Sequence, residues 1–72
     1  MKLFLEAVEL RTETALEAEA EYIRLPCTEE NLQEVLRVLK SLLDPKKRYR
    51  IMLHRCMHVE GGACSLEIIE DV

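Results

Sequence analysis

Five side chains in this sequence can bind a metal ion through sulfur or imidazole: Cys27, His54, Cys56, His58 and Cys64. Three of them alternate as His54-x-Cys56-x-His58, and Cys64 follows across Glu60-Gly61-Gly62-Ala63. Strand side chains repeat every two residues, so positions 54, 56 and 58 share one face of a strand. Positions 54 and 58 then stand about 13 Å apart. One tetrahedral zinc, with bonds of about 2.0–2.3 Å, does not span that distance. The ion takes a neighbouring pair instead, either Cys56 with His58 or His54 with Cys56. The turn decides where Cys64 falls. A two-residue loop at Gly61-Gly62 pairs Val59 with Cys64 and turns the sulfur to the wrong face. A three-residue loop, Glu60-Gly61-Gly62 with a left-handed glycine, pairs His58 with Cys64. That register is the expected one, and it sets Leu66 and Ile68 beside Met52 and Cys56 on the core-facing side.

The elements that position these donors can be read from periodicity. Residues 29–43 predict a helix: Leu32, Val35, Leu36, Leu39, Leu42 and Leu43 recur at helical spacing, with Gln33, Glu34, Arg37 and Lys40 opposite. Thr28 is the expected N-cap, Glu29 and Glu30 suit the positive end, and Asp44-Pro45 stops the helix. Residues 48–59 and 64–69 predict a hairpin, and residues 2–10 a strand. Residues 12–25 are ambiguous. The Glu17-Ala18-Glu19-Ala20-Glu21 alternation fits a strand with a bulge near Tyr22 and Ile23, while a helix over 12–21 before a short strand at 22–25 is the runner-up. The strand reading gives an α+β fold of order ββαββ, one helix on a four-stranded antiparallel sheet. The helix spans about 22 Å, which the returning strand covers in about seven residues, so the helix start comes near Cys56 and His58. Cys27 sits there, where the helix's partial positive charge lowers a thiol's pKa. Cys27, Cys56, His58 and Cys64 thus predict a Cys₃His zinc site that staples helix to hairpin, with His54 beside it or in place of His58 or Cys27.

Two other readings compete. The cysteines can be small buried apolar groups in a reduced protein, and a disulfide is disfavoured by their odd number. Cys56 between two histidines suggests a nucleophile, but neighbours two apart in a strand point in parallel, and no orienting third residue is evident. No enzyme is expected.

Seventy-two residues, 49% apolar and 33% charged, describe one small domain over 1–72 that needs a staple or a partner. Nothing approaches the roughly 18 consecutive apolar residues of a membrane span. Glu6 comes too early for a secretion signal, so a cytoplasmic location is expected. The net charge of −4 is uneven: residues 1–36 carry nine acids against three bases, residues 37–72 seven bases against five acids. Such an acidic half repels phosphate and attracts basic surfaces, which argues against direct nucleic-acid binding. Lys46, Lys47, Arg48 and Arg50 follow the helix and complement its negative end. Glu17, Glu19 and Glu21 form a ladder of carboxylates spaced about 6.5–7 Å, near the spacing of single-strand phosphates, and are the expected partner contacts. Tyr22 and Tyr49 are either interface anchors or core caps.

The stretch Ile23-Arg24-Leu25-Pro26-Cys27-Thr28-Glu29-Glu30-Asn31-Leu32-Gln33-Glu34-Val35-Leu36 is similar to the strand, Leu-Pro and acidic helix opening of ArdA-type antirestriction proteins, acidic DNA mimics of mobile elements. The cysteine and histidine set has no place in that pattern. In size, acidity and compactness the whole chain resembles the small anti-CRISPR proteins of phages and prophages that act on type II-A systems. That resemblance implies a zinc-stabilised inhibitor in the host bacterial cytoplasm. It would bind a basic RNA-guided nuclease and block guide or target-DNA engagement. The competing expectation is a metal-binding regulatory or redox-sensing module, or a subunit of a complex.

Overall fold

The structure, a computed structural model, describes residues 1–11, 20–57 and 61–72. Among them the chain runs β1 (Lys2–Glu9), β2 (Tyr22–Cys27), α1 (Leu32–Leu42), β3 (Tyr49–Cys56) and β4 (Ser65–Asp71). The strands form one antiparallel sheet of order β2-β1-β3-β4, the ββαββ arrangement expected from the sequence. Of the ambiguous stretch, Tyr22–Cys27 is strand, while residues 12–19 lie outside the described residues.

Alternation divides the sheet into two unlike faces. Leu3, Leu5 and Ala7 of β1 stand in register with Cys27, Leu25 and Ile23 of β2 and with Arg55, Leu53 and Ile51 of β3. This is the face that α1 covers. Leu39 of the helix is fully buried there with Leu5, Ala7 and Ile51, and Leu32, Val35, Leu36 and Leu43 pack around them. The expectation that Met52, Cys56, Leu66 and Ile68 face the core is therefore corrected. Leu66 and Ile68 are each 58% exposed, on the side away from the helix. The reason lies in β3 itself: Tyr49, Ile51 and Leu53 make an apolar set of one parity and face the buried Leu5 and Ala7 across the ladder.

The helix starts later than residue 29. Thr28 N–H donates to Asn31 Oδ1 at 2.7 Å, and Asn31 N–H donates to Thr28 Oγ1 at 3.2 Å. This reciprocal pair closes a separate turn, so Asn31, not Thr28, occupies the N-cap. In β4 the register shifts between Ile51↔Glu70 and Met52↔Ile68, leaving Ile69 as a bulge. Ile69 thereby packs against the core, and Glu70 reaches an ion pair with Lys40 of the helix. Among the described residues no helix is long and apolar enough to cross a membrane.

Glu21 departs from its expected place on an outer ladder. Tyr49, which is buried and so caps the core, donates its hydroxyl hydrogen to Glu21 Oε2 at 2.7 Å and accepts the Asp44 N–H at 3.2 Å. Lys47 Nζ donates to the same Glu21 oxygen at 3.2 Å. Glu17 and Glu19 lie outside the described residues. Burial, then the Glu21 carboxylate, push the Tyr49 phenol above its ordinary 10.0. The stability held by the protonated phenol is full below that value and is lost as pH rises through the raised one. Tyr49→Phe is expected to lower the thermal midpoint by roughly 4–8 °C and to flatten the alkaline limb of the stability curve. Scanning calorimetry between neutral and alkaline pH checks both.

Candidate metal centre

The uncovered face of the sheet carries the chemistry. On β3 it presents Arg50, Met52, His54 and Cys56, opposite Val8, Glu6, Phe4 and Lys2 of β1. The pairing of β3 with β4 runs Met52↔Ile68, His54↔Leu66 and Arg55↔Ser65. One step past the last pair, beyond the end of the ladder, the register brings Cys56 level with Cys64. The expected pairing of His58 with Cys64 is corrected by two positions. The hairpin is wider than three residues: Gly62 N–H donates to the Met57 carbonyl at 2.9 Å, and a Cβ on Gly62 would stand only 3.0 Å from Met57 Cβ. Gly61 supplies the left-handed turn residue at φ +77. Parity survives a shift of two, so Cys56 and Cys64 still share a face.

That register gathers one imidazole and two sulfurs. The ligand atoms of His54, Cys56 and Cys64 all lie within 4.8 Å of one another. All three residues are half-buried. Cys64 shares a hydrogen bond with Cys56 and receives the Met57 backbone N–H. Burial, then the hydrogen bond and charge of Cys56, push the Cys64 thiol above its ordinary 9.0. A metal arriving here must displace thiol protons, so binding tightens as pH rises.

His54 is oriented by groups the sequence did not mark. Its Nδ1 stands 2.7 Å from Glu6 Oε2. A carboxylate only accepts, so Nδ1 is the donor in this contact. Glu6 sits in the row of Met52, on one side of His54, and the cysteines lie on the other. His54 Nε2 is buried and has no hydrogen-bond partner among the described residues. Phe4 packs against the ring at a centroid distance of 5.8 Å. Arg24 lies 3.8 Å above the Phe4 ring, with its Nε 3.4 Å from Glu6 Oε2. Glu6 itself is 5% exposed, and the donors around it, His54, Arg24 and the Tyr22 hydroxyl, compensate that burial. A lone acid between Leu5 and Ala7 of an apolar strand was the signal in the sequence.

Of the four expected ligands, Cys56 and Cys64 come together, with His54 as the imidazole. His58 lies outside the described residues. Cys27 is not brought to them. It is in register with Leu3 on the helix-covered face and packs against the core, while Cys56 and Cys64 belong to the opposite face. Burial pushes the Cys27 thiol up, against the expected lowering. The helix does not begin until Leu32, so its end does not offset that burial. A cleft bounded by Met1, Phe4, Pro26, Cys27 and Glu30 contains none of the three clustered ligands. Searches against family models, curated proteins and solved structures each returned no match.

Replacing the carboxylate that orients His54 tests this geometry. Glu6→Gln is expected to weaken metal affinity by about 10- to 100-fold and to leave the β-sheet circular dichroism intact. Competition titration with a chromophoric chelator measures the change.

Proposed function

We propose that this protein is a small zinc-binding domain in which His54 Nε2, Cys56 Sγ and Cys64 Sγ hold one ion. The carrying observation is that His54 clusters with two cysteine sulfurs while its Nε2 is buried without a hydrogen-bond partner and its Nδ1 is held by Glu6. An unmade hydrogen bond at a buried nitrogen is costly, and metal coordination removes that cost. Carboxylate–histidine–metal relays of this kind raise ligand basicity and fix the ring. Thiolate and imidazole donors gathered within 4.8 Å of one another suit zinc. The ion would join β3 to β4 and, through Glu6, to β1. It would therefore staple the hairpin to the sheet and not to the helix. In a chain of 72 residues such a cross-link supplies stability that the core alone supplies thinly.

The wider proposal of an acidic inhibitor acting on a basic RNA-guided nuclease rests on charge, size and resemblance. Of its three contact residues, Glu21 is described, and its carboxylate is engaged by Tyr49 and Lys47. The geometry favours the metal-binding module. Native mass spectrometry of the reduced protein after zinc loading is the test. One zinc per chain, retained by Cys27→Ser, supports the proposal, whereas a metal-free chain rejects it.

A further inference from the structure

We infer that Cys56 and Cys64 also form a thiol–disulfide centre, so that oxidation by a peroxide closes a bond between them and expels the ion. This inference rests on the metal-binding reading and assigns its regulation. Continued one step past its last pair, Arg55↔Ser65, the register sets Cys56 and Cys64 against each other. Opposed residues in an antiparallel pair have Cα atoms about 4.5–5.5 Å apart, inside the disulfide range of about 4.4–6.8 Å. Their sulfurs already lie within 4.8 Å and share a hydrogen bond. Both are half-buried, so a molecule as small as hydrogen peroxide reaches them without unfolding of the sheet. Cys27, on the other face, is no competitor for either sulfur.

Metal binding keeps both sulfurs as thiolates, the nucleophilic form. One thiolate attacks a peroxide oxygen, breaking the O–O bond to give a sulfenic acid and hydroxide. The second thiolate attacks that sulfur and displaces a second hydroxide. Two electrons leave the sulfur pair, peroxide is reduced to two hydroxides that take up two protons as water, and the S–S bond forms. The sulfur electron pairs that held the ion are then no longer thiolate pairs. His54 alone does not retain zinc, and the ion is released.

The sequence makes the products separable. No Lys or Arg follows Arg55, so trypsin leaves Cys56 and Cys64 together in peptide 56–72, with Cys27 in another peptide. The zinc-loaded Cys27→Ser protein, its zinc content verified first, is treated with hydrogen peroxide. Released metal is read with a chromophoric chelator and the peptides by mass. The expected result is one equivalent of zinc per chain, a 56–72 peptide lighter by two hydrogens, and uptake of zinc again after reduction with dithiothreitol. Retained zinc, or release with oxygen added to the sulfurs and no loss of two hydrogens, overturns this inference and leaves the metal site standing. A reduced protein that takes up no zinc overturns the metal-binding reading and this inference with it.

Discussion

Saturating zinc is expected to raise the unfolding free energy by about 4 kcal/mol when its free concentration is a thousandfold above the dissociation constant, and Cys64→Ser is expected to abolish that gain. The argument is one of linkage. The unfolded chain carries the same donors, but it does not hold Cys56 and Cys64 across from each other or His54 against Glu6. The ion therefore favours the folded state. Cys64→Ser removes one sulfur and leaves the β3–β4 ladder, since Cys64 lies just outside the paired residues. Cys27→Ser is the control. Its sulfur packs against the core on the helix-covered face, so it should lose some packing and keep the full zinc increment. Urea denaturation of the three proteins with zinc and with chelator measures all of these. A zinc increment that survives in Cys64→Ser would place the ion elsewhere.

Leu39→Ala is expected to cost about 2–5 kcal/mol. Leu39 is fully buried and is the helix residue at the centre of the cluster with Leu5, Ala7 and Ile51. A domain of 72 residues has about 4–11 kcal/mol in total, so this one truncation removes a large share of it. The candidate metal ligands lie on the other face of the sheet, and effects at separated sites add. The metal-free variant should be substantially unfolded in mild urea, and zinc should restore it by the increment seen in the parent protein. Equilibrium unfolding of Leu39→Ala with and without zinc tests both halves. A variant as stable as the parent would show that α1 is not what closes the core.

Much of this architecture is written in periodicity. The spacing of Leu32, Val35, Leu36 and Leu39 identifies the helix and its buried face, and the turn residues around Gly61 identify the hairpin. What periodicity leaves open is which face of β3 and β4 the helix covers. Met52, Leu66 and Ile68 are as apolar as Ile51 and Leu53, and a strand apolar on both faces carries no preference of its own. The helix settles the choice by packing on the side of Leu3, Leu5 and Ala7.

The candidate cluster was legible in part for the same reasons. Cys56 and Cys64 were identified because parity is insensitive to a two-residue slip. His54 gave way to His58 because a three-residue loop pairs His58 with Cys64 and the helix length brings Cys27 level with Cys56 and His58. Cys27 was included on helix rise alone, which fixes a level along the sheet and says nothing about its side. The alternation Ile23, Leu25, Cys27 would have placed it with the core. Glu6 was legible as an acid inside Leu5-Glu6-Ala7, but its role depends on a diagonal neighbour across the sheet that only the register supplies.

The most direct test of the proposed centre is long-range ¹H–¹⁵N nuclear magnetic resonance of the imidazole of His54 in the zinc-loaded protein. The proposal requires a protonated Nδ1 held by Glu6 and a metal-bound Nε2, so the Nε2 resonance moves on zinc binding and the Nδ1 proton stays. A His54 whose two nitrogen resonances are the same with and without zinc would contradict it.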